Sequence, residues 1–347
     1  MTDIQIRRDG CAGRITLNRP DALNALTYPM ILGIHAALKA WADDDAIKLL
    51  ILDASGNRAF CAGGDIVEMY ETGRKGDYAY GRQFWRDEYR MNAAMFTFPK
   101  PVVSLLQGFT MGGGVGVGCH ASHRVVCESS KIAMPEVSIG LIPDVGGTLL
   151  LARAPGRLGE YLGTTAERMD AGDAIHAGFA DYFVPEAEWP ALVVELCESG
   201  DPDAVDRAAH AAPQSALAEK QAQIDDLFGG ETLGDILRLL ERADTPLTLS
   251  ALKALNRNAP LPMASAVELI HRARTRDDIH EALGQEFRYV WRAAEQGDFV
   301  EGIRAAIIDK DRKPIWKHTS PAAVKPHEVS AMLRPLGADA LTFETED

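Results

Sequence analysis

Twice in this chain an apolar run leads into a glycine loop that opens a helix, and this repeated unit limits the fold more than any other feature. In residues 46–72, the run Ala46–Asp53 (AIKLLILD) reads as a buried strand. Phe60-Cys61-Ala62-Gly63-Gly64-Asp65 then forms a glycine loop before a predicted helix around Ile66–Glu71. In residues 101–120 the strand is predicted over Pro101–Gly108. It leads to glycines at 112, 113, 114, 116 and 118 and a short helix around Gly114–Cys119. Such alternation favours an α/β domain with ligand sites at strand ends. A further apolar run, Arg124–Cys127, is followed by two acids, Glu136 and Asp144, each directly after a proline. Glycines let a backbone come close to a ligand and expose its N–H groups. Carboxylates held near such N–H groups suit proton transfer or nucleophilic attack beside an oxyanion site.

The remaining segments frame these two units. Ile4–Arg7 and Arg14–Asn18 read as strands of a hairpin turning at Asp9-Gly10. Thr27 is placed to cap a helix through Met30, Ile31, Ile34, Leu38 and Trp41, and another helix is predicted over Tyr78–Phe96. Beyond about Gly146, helices are predicted at Leu149–Arg153, Leu158–Thr165, Gly172–Gly178 and Trp189–Glu198, with a short strand at Tyr182–Val184. From Asp201 to about Gly297 the pattern is almost wholly helical, with a long stretch around Asp277–Glu295 and a break at Pro260-Leu261-Pro262. The tail after Trp316 is expected to wind over the surface. The expected organisation is an α/β core over residues 1–200 and a helical region over 201–347.

Composition narrows the class of partner. A net charge of −14 argues against nucleic acid, whose phosphates call for a basic face. No apolar run approaches the roughly 20 residues that span a bilayer, and MTDIQIRRDG has no apolar core of a signal peptide, so no membrane partner is expected. The five cysteines are odd in number and show no C-x-x-C spacing. A reduced cytoplasmic protein without a structural zinc is the expectation. His120 and His123 lie three apart but lack an acidic or cysteine partner at a metal-binding interval.

The glycine cluster does not fit G-x-G-x-x-G in any register of residues 108–120, and no G-x-x-x-x-G-K-[ST] occurs. Gly108-Phe109-Thr110-Met111-Gly112 imitates a nucleophile elbow, but with threonine where serine or cysteine is usual. Taken alone, the cluster also suits tight helix–sheet packing. The Phe60–Asp65 loop changes that balance, because two glycine loops opening two helices supply two backbone N–H groups for one carbonyl oxygen. Cys61 has no histidine nearby in sequence and reads as a small buried residue.

Phe60-Cys61-Ala62-Gly63-Gly64-Asp65-Ile66, Met111-Gly112-Gly113-Gly114-Val115-Gly116 and Met134-Pro135-Glu136 resemble the enoyl-CoA hydratase/isomerase (crotonase) superfamily. Ile142-Pro143-Asp144-Val145-Gly146-Gly147, Asp298-Phe299-Val300-Glu301-Gly302-Ile303-Arg304-Ala305 and Ile308-Asp309-Lys310-Asp311 narrow the likeness to its 3-hydroxyisobutyryl-CoA hydrolase branch. The resemblance spans nearly the whole chain. It implies a crotonase (ClpP-like) α/β fold of stacked ββα units with a helical C-terminal region. It also implies that the N–H groups of Gly64 and Gly113 hold a thioester oxygen, with Ala62, Asp65, Ile66 and Gly112 lining the substrate. Glu136 matches the second acid of two-acid hydratases, whereas Gly116 stands where their first acid would be. Asp144 occupies a position that is glycine in many hydratases, and Glu88 matches a substrate-contacting acid of the hydrolase branch.

The expected reaction is therefore cleavage of a short 3-hydroxyacyl-CoA thioester, as in valine breakdown. Glu136 would attack the carbonyl or activate water, and Asp144 would orient that water or the substrate hydroxyl. A hydratase or isomerase of the same superfamily and a non-catalytic acyl-CoA-binding protein are the alternatives. No metal or redox cofactor is implied, since CoA arrives as part of the substrate. Lys310, with Arg312 and Lys313, reads either as a contact to CoA phosphates or as a solvated surface run. Relatives that form trimers or hexamers imply a homo-oligomer, unless the helical tail covers the shared surface.

Overall fold

The computed structural model describes residues 2–343. Its strands are β1 (Ile4–Asp9), β2 (Ala12–Leu17), β3 (Leu49–Ala54), β4 (Ala59–Cys61), β5 (Val102–Leu105), β6 (Phe109–Met111), β7 (His123–Val126), β8 (Lys131–Ala133) and β9 (Tyr182–Phe183). Six of them form a sheet in the order β1-β2-β3-β5-β7-β9, and three form a second sheet in the order β4-β6-β8. Among the described strands, β1 and β2 pair antiparallel and the other ladders are parallel. From β3 onward the chain deals strands alternately, β3, β5 and β7 to the large sheet and β4, β6 and β8 to the small one. These are the stacked ββα units expected from the sequence.

By contacts, the described residues divide into two compact units. The first comprises residues 2–65, Arg90–Ala133 and Arg168–Ala218; the second comprises Ile66–Tyr89, Met134–Glu167 and residues 219–343. Both sheets belong to the first unit. There Ile51 pairs with Val103, and Leu105 with Val125, so alternate residues of three parallel strands share a face. That face is covered by Trp189, Leu192, Val193 and Leu196 of the helix Trp189–Ser199. Each fully buried Leu, Ile or Val contributes roughly 1.5–3 kcal/mol, which explains why β3 is apolar nearly throughout. Its one acid, Asp53, is neutralised by Arg14 of β2 at 2.6 Å.

The second unit is helical. Its helix Pro260–Thr275 packs on Gly147–Arg153 and Leu158–Thr165. The break expected at Pro260-Leu261-Pro262 falls at Asn258-Ala259, after the helix Pro246–Arg257, and the two prolines form the first turn of the helix that follows. Proline is tolerated there because first-turn N–H groups have no intrahelical acceptor to lose. Two further local expectations are corrected. The hairpin turns at Gly10-Cys11, with Asp9 paired to Ala12 and Gly10 at φ +57°. Thr27 precedes its helix without a side-chain cap bond.

The glycine helix Gly113–Gly118 lies close against β4 in the first unit. A Cβ on Gly114 would meet the Cys61 carbonyl oxygen at 2.3 Å, so this approach admits only glycine. Gly114→Ala is expected to cost about 2 kcal/mol and lower the melting temperature by several degrees. Gly284, inside the helix Ile279–Gln296, has nothing within 4 Å of such a Cβ. Gly284→Ala is expected to raise stability by roughly 0.5–1 kcal/mol. Thermal unfolding of both variants checks the pair, and a neutral Gly114→Ala would contradict the packing.

Candidate active site

In the first unit the two glycine loops touch. Leu26 N–H donates to Gly63 O and Asp65 N–H to Leu26 O, at 2.9 and 2.8 Å, while Leu26 and Gly64 form a parallel bridge. These two bonds flank Gly64, so its own N–H is turned away from the Leu26 backbone. Gly113 is the first residue of its helix, where an N–H has no carbonyl four residues back. A Cβ placed on Gly63 would lie 3.4 Å from Met111 O and 3.9 Å from Gly113 N. Gly112 adopts φ 52°, ψ −120°, a conformation that side chains exclude. The loop at Gly63 thus runs close to the backbone of Met111 and Gly113.

The second unit gathers the acids. Glu88, Tyr89, Glu136, Asp144 and Glu286 are all buried. Burial pushes the Glu136 carboxyl well above the usual glutamate range, and the charges of Asp144, Glu286 and Glu88 push it further, against a lowering backbone hydrogen bond. Burial also raises Glu88, with Asp144 adding to the effect. Asp144 rises to about 7 through burial, although the Tyr89 hydroxyl donates to its Oδ2 at 2.8 Å and works in the opposite direction. Tyr89 is held well above its ordinary range by burial and by Asp144. Oε2 of Glu136 is buried and meets no hydrogen-bond partner among the described residues. One carboxyl oxygen therefore retains its lone pairs for substrate, water or a proton.

Glu136 and Asp144 each lie at a tight turn. Glu136 opens the 3₁₀ turn Glu136–Ile139, which ends at Gly140 with φ +80°. The signature segment Asp298–Gly302 packs against that turn. A Cβ on Gly302 would meet Ile139 O at 2.0 Å, and one on Gly140 would meet Asp298 O at 2.4 Å. Asp144 begins a turn in which Val145 has φ +55°. A β-branched residue in the left-handed region costs roughly 1–3 kcal/mol and persists only where its surroundings enforce it. The turn is closed by the Gly147 N–H donating to Asp144 O at 2.7 Å, and the Glu286 carboxyl accepts the N–H groups of Gly146 and Thr148 at 2.8 and 3.0 Å and the Thr148 hydroxyl. Burial raises Glu286 to about 8 despite those donors.

Of the residues singled out in the sequence, the structure groups Ala62, Gly64, Asp65, Gly112 and Gly113 in the first unit, and Glu88, Glu136 and Asp144 in the second. Ile66 precedes the helix Val67–Gly73. Lys310 is exposed at φ +57° on a loop whose Asp309 and Asp311 pair with Arg304. Tyr89 and Glu286 escaped the sequence reading. Tyr89 adjoins Glu88 and had a positional hint, whereas Glu286 sits in an ordinary amphipathic helix and had none. Among the described residues, no group of three or more His, Cys, Asp or Glu is arranged to hold a metal ion.

Comparison with known proteins bears on the family and the fold. The enoyl-CoA hydratase/isomerase family profile matches residues 12–333. The mitochondrial 3-hydroxyisobutyryl-CoA hydrolase of Gallus gallus is 34% identical over 98% of this chain and 90% of its own length. That of Rattus norvegicus is 36% identical over 98% and 91%. A crystal structure of an enoyl-CoA hydratase from Rhodobacter sphaeroides 2.4.1 superposes with a TM-score of 0.94 at 56% identity, covering 99% of this chain and 100% of the other. The fold is thus the crotonase (ClpP-like) fold. The relatives' mitochondrial names overturn the cytoplasmic location expected from the sequence. Neither net charge nor cysteine spacing distinguishes one such compartment from another. The chain belongs to the enoyl-CoA hydratase/isomerase (crotonase) family, alongside the 3-hydroxyisobutyryl-CoA hydrolases.

Proposed function

We propose that this protein hydrolyses a short 3-hydroxyacyl-CoA thioester, with 3-hydroxyisobutyryl-CoA as the substrate. The observation that carries the reading is the pair Glu136 and Asp144, buried in one unit and each pushed upward by burial, with the Tyr89 hydroxyl on Asp144. Gly116, inside the glycine helix, supplies no carboxylate. The acids that a two-acid hydratase would divide between water activation and α-carbon protonation are thus not both present at their usual positions.

In the proposed reaction Glu136 takes a proton from water as the water oxygen attacks the thioester carbonyl carbon. The carbonyl π pair moves onto oxygen, where the Gly64 and Gly113 N–H groups receive it. Collapse of the tetrahedral intermediate breaks the C–S bond, and the CoA thiolate recovers the proton held by Glu136. Asp144 holds the substrate hydroxyl or the attacking water, with Glu88 beside it. The high identity to a structure described as an enoyl-CoA hydratase favours a second reading, water addition to or removal from the acyl chain.

Purified protein given 3-hydroxyisobutyryl-CoA is expected to release free thiol. Formation of methacrylyl-CoA without thiol release would favour the hydratase reading instead. Glu136→Gln is expected to lower kcat by about 10²- to 10⁴-fold with the melting temperature retained. A variant with full turnover would remove Glu136 from the chemistry.

The pH dependence follows from the direction of the shifts. A base must be deprotonated, so kcat/KM is expected to rise with pH along an acid limb displaced well above the ordinary glutamate range. Glu88, Asp144 and Glu286 titrate with it, so the apparent values belong to the group as a whole. Asp144→Asn removes a negative charge that disfavours ionised Glu136. The limb should therefore move to lower pH while kcat falls roughly 10²-fold. An unmoved limb with full activity would exclude Asp144.

A further inference from the structure

Glu286 accounts for a geometry that the acids alone leave unexplained. Its carboxylate lies 140 residues along the chain from Gly146, yet both of its oxygens are spent on the turn after Asp144. Oε2 accepts the Gly146 N–H, and Oε1 accepts the Thr148 N–H and hydroxyl. Between Asp144 and Gly146 stands Val145, in the left-handed region that its branched side chain disfavours. On the other side the Tyr89 hydroxyl donates to Asp144 Oδ2. The ring of Tyr89 in turn sits edge-on to Phe287, the neighbour of Glu286, with centroids 6.0 Å apart. One helix, Ile279–Gln296, therefore supports the Asp144 turn twice, through a carboxylate below the turn and through an aromatic contact behind the residue that bonds Asp144.

We propose that Glu286 is a positioning residue: it pins the strained Asp144–Thr148 turn so that the Asp144 carboxylate is held at one angle for turnover. The proposal rests on the acyl-CoA-cleaving reading above and assigns this residue no contact with substrate. Glutamine is close in shape to glutamate but offers one acceptor oxygen and an NH₂ donor. On the alkaline side of its titration, where Glu286 is ionised and the cycle below is read, Glu286→Gln must therefore place a donor against either the Gly146 or the Thr148 N–H. Misplacing a reacting group by about 1 Å can cost on the order of 10²-fold in rate.

The test is a double-mutant cycle on the full-length chain, reading kcat, KM and melting temperature for wild type, Glu286→Gln, Asp144→Asn and the double variant. If Glu286 acts through Asp144, Glu286→Gln lowers kcat about 10- to 100-fold in the wild-type background with KM little changed. In the Asp144→Asn background it then changes kcat less than about twofold. The same loss in both backgrounds, or an unchanged kcat with a lowered melting temperature, would overturn the proposal. Should Glu286→Gln fail to fold, Thr148→Val and Thr148→Ser replace it. Valine removes the hydroxyl bond to Glu286 and serine keeps it, so the kcat loss should appear with valine and be rescued by serine. Equal rates for the two would count against the role. Absence of thiol release by wild type overturns the proposed hydrolysis, while the cycle, read on whatever acyl-CoA turnover wild type shows, judges Glu286 separately.

Discussion

Four carboxyls, Glu88, Glu136, Asp144 and Glu286, are buried in one unit of this protein, and none of them is paired with an arginine or lysine in the described structure. Removing a charged group from water without a partner is costly, so burial drives these groups toward their protonated forms. The same unit contains the opposite case. Glu160 is equally buried, but His271 Nε2 at 2.9 Å, Arg274 Nη2 at 2.7 Å and Arg157 surround it, and its pKa falls to about 2 against the pull of burial. One acid is a neutralised strut between helices. The others are pushed upward by burial, Asp144 to about 7 and Glu286 to about 8, and such perturbed groups are what an acid–base site needs.

Holding uncompensated acids in place is a problem of geometry, and hydrogen bonds to neutral donors solve it here. Tyr89 fixes Asp144 from one side, and Glu286 secures the following turn from the other. The Glu136 turn is gripped differently, by close backbone packing of Asp298–Gly302 against Ile139 and Gly140. This assigns work to a signature segment that carries no reacting group. The glycine loops of the first unit follow a related logic, with backbone rather than side chains as the working surface. Close approach at Gly63 and the unusual Gly112 conformation bring the two backbones together without any charge.

Much of this was legible in the chain. The strand–glycine loop–helix units, the long helices, Glu136 and Asp144 are visible, because they rest on local signals such as apolar runs, glycine spacing and proline-linked acids, whereas Glu88 and the roles of Gly64 and Gly113 came from the family resemblance alone. The three-residue strands β6 and β8 are not visible: Phe109-Thr110-Met111 and Lys131-Ile132-Ala133 are too short to show a period and gain their identity only by pairing. Glu286 is invisible for a sharper reason. Its helix has ordinary spacing, and only the return of the chain against Gly146 and Thr148 distinguishes it from any other helical glutamate. The compartment was misread because net charge and cysteine spacing carry no address.

By itself, then, the sequence determined the α/β class, the two glycine loops, the absence of an acid at position 116 and the presence of Glu136 and Asp144 after their prolines. These are statements about which groups exist and which local conformations they favour. Tertiary structure decided which acids share a low-dielectric environment, which of them meet cations, and which donors hold them. Those outcomes depend on residues brought together from positions 88, 136, 144 and 286, and a proton's free energy on any one of them is set by that assembled neighbourhood.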